Sequence, residues 1–296
     1  MDYFETKINQ WSDWETVRHN PMIFEPLIKQ IYSSENEPFK TPELVTDEGA
    51  AVFAVGTSQI VIFPPSNVAP DTRDRYQTER FSLTRMARLK LTAPELLHAG
   101  FIFDTYQFYY VIYRPLAGMS LSDFTVTAEP LAKSTLARQI GTTLNQVNGE
   151  VGPFNTIDVQ TTSNAVDWNR LGAGFATERS NYLAAHLVTP TDFVHGDLNA
   201  ENLIVTSGQV GLQHFAGARR APRQTELIPL IWDGFKFDAD FLAGLKATLT
   251  SVNLVEDVLL GLLWRADGPQ YVESMMAGQS VTIASLRAQL SVKLNG

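Results

Sequence analysis

The sequence predicts an α+β chain in two parts, a small strand-rich part followed by a larger helical one. Three observations carry this reading. Short β-branched and aromatic runs cluster between residues 51 and 113, stripes at helical spacing dominate after Gly118, and 296 residues suffice for two cores of ordinary size. With 44% hydrophobic and 19% charged residues, the chain has the composition of a folded globular protein, so independent folding is expected.

The elements follow in order. Residues 1–42 hold two helix-like stretches and close on Pro38 and Pro42, which punctuate the chain before the next element. Ala51-Val-Phe-Ala-Val55 and Ile60-Val-Ile-Phe63 are strand-forming runs separated by Gly56-Thr-Ser, a hairpin signature, and Pro64-Pro65 stops the second. Residues 73–90 are charged and Pro-free, with Phe81, Leu83, Met86 and Leu89 near helical spacing, which predicts a helix. Phe108-Tyr-Tyr-Val-Ile-Tyr113 reads as a further strand, closed by Arg114-Pro115. Beyond Gly118, Leu136, Ile140, Leu144 and Val147 form the stripe of a packed amphipathic helix, and Leu254, Val255, Val258, Leu259, Leu262 and Leu263 repeat it. Between them Leu203-Ile-Val205, Ser207-Gly208 and Val210-Gly-Leu212 predict a small hairpin. The expected domains are residues 1–113, with 1–42 as a leading helical segment, and residues 114–296.

Charge and cysteine content narrow the function classes. The chain carries 23 basic and 32 acidic residues, a net charge of −9, whereas a phosphate-backbone surface needs a basic face, so no nucleic acid is expected as a partner. The absence of cysteine removes thiolate nucleophiles, disulfides and Cys-ligated metal sites. No run approaches the roughly 20 apolar residues of a membrane span, and Met1-Asp-Tyr-Phe-Glu5 lacks the basic flank of a signal peptide. A cytoplasmic protein with no membrane partner is the expectation. Gly-x-Ser-x-Gly, His-Glu-x-x-His and Gly-x-Gly-x-x-Gly patterns are missing, and His19, His98 and His186 have no ligand spacing.

The informative segment is Phe193-Val-His-Gly-Asp-Leu-Asn-Ala-Glu-Asn-Leu-Ile-Val205, in which Asp197 and Asn202 stand five residues apart on a loop entering the hairpin. In phosphoryl transfer an Asp in this place accepts the proton of the attacking hydroxyl, and an Asn five residues on binds Mg²⁺. An Asp on a loop also serves as a turn former, and Asn202 as a tie across the loop, so inheritance of structure and function weigh equally for Asp197. Glu201 is expected to be solvated.

The wording His-Gly-Asp-Leu-x-x-x-Asn resembles the aminoglycoside phosphotransferase and choline kinase-like family, over roughly residues 43 to 270. The resemblance implies a two-lobed protein kinase-like (phosphotransferase) fold with Asp197 as catalytic base, Asn202 as a metal ligand and His195 as a brace of the loop. It also implies that Glu79 lies on the helix of the small lobe that serves the nucleotide, with Pro94 leading into the next strand. Tyr113-Arg114-Pro-Leu-Ala-Gly118 would be the hinge, so that Glu79, Tyr113 and Arg114 are the expected cofactor-binding residues.

Two departures from the family's pattern matter. Gly211-Leu-Gln-His-Phe-Ala-Gly217 puts His214 where the family has its metal-binding Asp, and neutral imidazole is a poor ligand for Mg²⁺, a hard ion that takes oxygen. Phe63 occupies the position of the phosphate-clamping Lys, and no Lys or Arg occurs between Lys40 and Arg73. Unless Lys40, Arg73 or Arg75 reaches in, Glu79 loses its expected ion-pair partner. Asp47-Glu-Gly-Ala-Ala51 offers one Gly and two acidic side chains where a triphosphate would lie. The expected function is therefore a pseudokinase that binds a small-molecule ligand or a regulatory protein in the inherited cleft. The other reading is an active ATP-dependent kinase acting on a hydroxyl of an amino-sugar or choline-like metabolite. ATP and Mg²⁺ are the cofactors if it is active, and none is expected otherwise. Trp232-Asp-Gly-Phe-Lys-Phe237 lies where this family builds substrate-binding helices and would give an aromatic and acidic pocket.

Overall fold

The computed structural model describes residues 3–45, 49–249, 253–278 and 281–295. The acidic residues Asp47 and Glu48, assigned above to a phosphate-facing loop, lie outside the described residues. The chain forms two compact units, Met1–Leu116 and Ala117–Gly296.

The first unit begins with α1 (Trp11–Val17) and α2 (Pro21–Ser34). Asn20 caps α2 by accepting the Met22 N–H at 3.1 Å, and Pro21 sits at the first helical position, where its missing N–H costs nothing. The strands β1 (Glu43–Val45), β2 (Ala51–Val55), β3 (Ser58–Ile62), β4 (Glu95–Phe103) and β5 (Gln107–Arg114) form an antiparallel sheet in the order β1-β2-β3-β5-β4. The β2–β3 hairpin turns at Gly56-Thr57, with Gly56 at φ +68°, so Ser58 already belongs to the strand. Register places Phe53 opposite Ile60 and Ile60 opposite Ile112. Strand alternation then puts Phe53, Ile60, Ile62, Phe108, Tyr110 and Ile112 on one face, where Phe4, Trp14, Phe24 and Ile28 bury them. The opposite face meets α3 (Thr72–Leu89), whose Tyr76 stacks on Tyr109 at 5.0 Å between centroids and meets Phe63 edge-on at 6.2 Å. His98 on β4 lies 2.9 Å from both Glu35 and Glu37, tying that strand to the residues just past α2.

The second unit carries a three-stranded sheet, β6-β8-β9, and a two-stranded one, β10-β7. Its strands are β6 (Met119–Ser120), β7 (Asp192–Val194), β8 (Leu203–Thr206), β9 (Gln209–Leu212) and β10 (Arg219–Ala221). Its helices are α4 (Leu121–Thr127), α5 (Pro130–Val147), α6 (Val159–Asn164), α7 (Phe175–Ala185), the short α8 (Leu227–Pro229), α9 (Ala239–Lys246), α10 (Leu254–Trp264), α11 (Gly268–Met276) and α12 (Ile283–Asn295). The α5 stripe Leu136, Ile140, Leu144 and Val147 is buried as its spacing requires. Every residue of α10 from Val258 to Trp264 is buried, the behaviour of a helix that is apolar all round. Among the described residues no helix is long and apolar enough to cross a membrane.

Candidate active site

Residues 195–202 connect β7 to β8, and the pairing of β7 with β10 fixes where this loop starts: Val194 lies opposite Arg219. Asp197 is exposed at the tip, whereas Asn202 is buried beneath it. The structure brings these two predicted residues together. Asn202 Nδ2 donates to the Asp197 carbonyl oxygen at 2.7 Å and to Asp197 Oδ2 at 3.1 Å. Asn199 completes the loop, since its Nδ2 donates to Asp197 Oδ1 at 3.2 Å while its Oδ1 accepts the N–H groups of Glu201 and Asn202 at 2.9 and 3.0 Å. With the Asn202 amide nitrogen committed to Asp197, its Oδ1 is the oxygen left to face a cation. Glu201 is exposed, as expected of a solvated residue.

The peptide preceding Asp197 is gripped from both sides by residues that sequence reasoning missed. Glu226 accepts the His195 N–H at 2.5 Å and the Gly196 N–H at 3.0 Å. On the other side the Gly196 carbonyl accepts from Arg219 Nη2 at 3.2 Å and Arg265 Nη1 at 3.1 Å, and Arg265 pairs in a fork with Asp267 at 2.6 and 2.7 Å. Gly196 itself has φ +83°, and a Cβ there would stand 2.3 Å from the Gly217 carbonyl oxygen. Only glycine meets both demands. The one local signal for this grip is the pair Arg265 and Asp267 at the end of an apolar helix; nothing near Glu226 marks it.

Burial sets the protonation states. His195 is fully buried, and burial pushes its imidazole down to about 4 against the opposing bond to Gln213 and the charge of Asp197. The ring is therefore neutral at pH 7, with Nε2–H donating to the Gln213 carbonyl at 2.8 Å and Nδ1 accepting the Asp197 N–H at 3.4 Å. It braces the loop. Burial pushes the Glu226 carboxyl up to about 7, against the pull of the His195 and Gly196 N–H groups and of Arg265 and Arg219.

These two shifts act oppositely on stability. A carboxyl raised above its unfolded value of 4.5 stabilises fully below pH 4.5 and loses that contribution as pH rises to about 7. A histidine depressed from 6.5 to about 4 contributes fully above pH 6.5 and loses that as pH falls through 4. Each contribution is about 3 kcal/mol, so they offset one another between the two unfolded values. Urea unfolding of the unmodified protein is expected to give a flat profile there, while Glu226→Gln, which keeps only the histidine contribution, should gain about 1.4 kcal/mol of stability per pH unit as pH rises. A flat profile for both proteins would mean that His195 does not resist protonation.

His214 follows β9 with a left-handed backbone, φ 61° and ψ 68°, and is exposed. The Mg²⁺ site implied by the resemblance needs a carboxylate there. Asn202 Oδ1 suits a hard cation and the His214 imidazole does not. Among the described residues no group of three or more His, Asp or Glu side chains is placed to hold a metal ion. The residues present do not fit Mg²⁺ in the family's manner.

The other predicted residues belong to the first unit. Glu79 lies half-buried on α3, three residues beyond Tyr76. Tyr113 and Arg114 end β5, with Tyr113 buried and Arg114 exposed and ion-paired with Glu95 across the strands. Phe63, which the resemblance sets at the position of the clamping Lys, is 6% exposed and packs on Tyr76. In the second unit Trp232 lies 4.7 Å from Phe237 and 5.7 Å from Tyr271, whose hydroxyl donates to Asp233 at 2.9 Å. Arg265, which holds Gly196, also lies 5.7 Å over the Tyr271 ring, so this aromatic and acidic cluster adjoins the loop.

The sequence matches the profile of a family described as "Phosphotransferase enzyme family" over residues 45–254. No curated protein matches it significantly. Among solved structures, a mutant of aminoglycoside 2'-phosphotransferase-IIIa in complex with GDP aligns with a TM-score of 0.63 at 19% identity, covering 93% of this chain and 95% of that one. The GDP and kanamycin complex of APH(2")-IIia aligns at 0.58 and 16%, over 90% and 98% of the two chains. Amicoumacin kinase hAmiN in complex with AMP-PNP, Ca²⁺ and Ami aligns at 0.60 and 10%, over 95% of each. At these identities the likeness speaks for the fold.

Proposed function

The chain belongs to the phosphotransferase enzyme family and has its kinase-like fold, and from that premise we propose that it is a pseudokinase, a degenerate member that binds a small ligand with weak or no phosphoryl transfer. The observation that carries this reading is His214, an imidazole on a left-handed residue where the family places its metal carboxylate. Phosphoryl transfer depends on cations that neutralise charge on the phosphates as it develops. The buried Phe63 supports the same conclusion from the first unit, since an apolar group stands at the position to which the resemblance assigns the phosphate-clamping Lys.

The ligand class follows from the neighbourhood of the loop. Trp232, Phe237 and Tyr271 supply aromatic faces, and Asp233 is exposed beside them, a combination that suits a small organic cation of the amino-sugar or choline-like kind. Calorimetric titration with ATP, GTP and their Mg²⁺ complexes tests the proposal. Binding is expected to be weaker than millimolar and indifferent to Mg²⁺. Micromolar, Mg²⁺-dependent binding of ATP would overturn it.

A second reading rests on the preserved pair Asp197 and Asn202. Asp197 is exposed, oriented by Asn199 and Asn202, and so able to accept the proton of an acceptor hydroxyl as a general base. Transfer of phosphate from ATP to a choline-like or amino-sugar hydroxyl, abolished by Asp197→Asn with no loss of thermal stability, would establish this active form.

A further inference from the structure

Arg179 on α7 is 5% exposed and, among the described residues, carries its charge without a carboxylate partner. Its Nε donates to the Leu263 carbonyl at 2.8 Å, Nη1 to Asn164 Oδ1 at 3.1 Å and Nη2 to Ser163 Oγ at 2.6 Å, while its guanidinium lies 4.6 Å over the Trp168 ring. These bonds use three of the five N–H groups of a guanidinium and leave one on each terminal nitrogen. The acceptors are neutral. Leu263 is in the last turn of α10, and helix-end carbonyls give a fraction of a charge, not a counter-ion. Burial accordingly drives Arg179 down to about 10 with no anion among the described residues to oppose it, though it stays charged at neutral pH. Arg265, equally buried, differs in having Asp267 against it.

A cavity of about 340 Å³ lies beside Arg179, walled by Asn164, Leu183, Leu187, Pro190 and Trp264. Trp264 is 8% exposed, and its buried indole N–H meets no acceptor among the described residues. One cavity therefore joins a guanidinium with no carboxylate partner among the described residues and an aliphatic wall, with the Trp264 side chain beside them. A buried donor left unmade costs stability, and a buried cation without a counter-ion costs more. An anion at Arg179 relieves the second of these costs.

We propose that this cavity binds a small organic anion, a carboxylate carrying a short apolar chain, with the carboxylate at Arg179 and the chain along Leu183, Leu187 and Pro190. The cavity has the size of a small-molecule site and the composition of one, mostly apolar with a few polar groups that fix orientation. It is independent of the phosphotransferase loop and does not rest on the function proposed above.

Hexanoate titrated into the full chain tests this, read on the indole N–H signals in ¹⁵N-resolved NMR spectra. The Trp264 signal is the one that Trp264→Phe removes. Hexanoate is expected to move it with saturation, while acetate, hexanol and inorganic phosphate at equal concentration move it little. Arg179→Gln should weaken hexanoate about tenfold or more. Should that variant fail to fold, Ala184→Phe on the exposed rim fills the cavity with Arg179 intact and should abolish the response. No saturable movement overturns the proposal. An equal response to hexanol would mean an apolar cavity that makes no use of the charge, an equal response to phosphate would remove the role of the chain, and a response that survives Ala184→Phe would place the binding elsewhere.

Discussion

Glu226→Ala is expected to cost about 3–5 kcal/mol of folding stability at pH 5, where the folded carboxyl keeps its proton and its contribution has not been lost. The side chain is fully buried and accepts two backbone N–H groups, those of His195 and Gly196. Alanine leaves both donors without an acceptor, each at about 1–3 kcal/mol, and opens a cavity where no water can reach freely. Glu226→Gln keeps the shape and one acceptor and should cost less, about 1–2 kcal/mol. Urea unfolding gives both values. Hydrogen exchange at the His195 and Gly196 amides gives the local consequence, with protection lost in the alanine variant before the rest of the second unit opens. A cost below about 1 kcal/mol for alanine would mean that the two arginines on the Gly196 carbonyl hold the loop alone.

The loop was legible in the sequence and its support was not, for a physical reason. His195, Gly196, Asp197 and Asn202 lie within a few residues of each other, and the constraints among them are local: a turn, a left-handed glycine and an amide reaching back five residues. Glu226, Arg219 and Arg265 act from positions remote in the chain, and a charge that will be buried leaves the same local pattern as one that will be solvated. The strands divide in the same way. The hairpin of β2 and β3 is apolar on both faces and stands out as continuous β-branched runs. The residues of β4, by contrast, are half-exposed along nearly their whole length, with His98 and Gly100 in the middle and a register shift between Leu96 and His98, so no period of two survives to be read. Only the resemblance, through Pro94, pointed to a strand there. The three-residue β1 lies at the sheet edge and is held by pairing rather than by its own pattern.

His214→Asp is expected to raise the affinity of the second unit's loop for Mn²⁺ or Mg²⁺ by about tenfold or more. The backbone already suits the change, because the left-handed region that His214 occupies is one in which Asp is enriched among non-glycine residues. The exposed position means that a carboxylate there pays little for desolvation. It would join the Asn202 amide oxygen and the Asp197 carboxylate, and hard cations gain affinity with each added carboxylate oxygen. Electron paramagnetic resonance of Mn²⁺ measures the gain directly, and Asn202→Ala on the same background should reverse it if the cation sits at the loop. Thermal stability should change little, since His214 caps only a single short turn. If the unmodified protein already binds Mn²⁺ as tightly as His214→Asp, the imidazole is no obstacle, and the proposed loss of phosphoryl transfer would have no metal-based cause. If His214→Asp folds and gains nothing, the oxygen donors of Asp197 and Asn202 are spent on each other, through the bond of Asn202 Nδ2 to Asp197 Oδ2, and the loop has become a structural tie rather than a cation site in waiting.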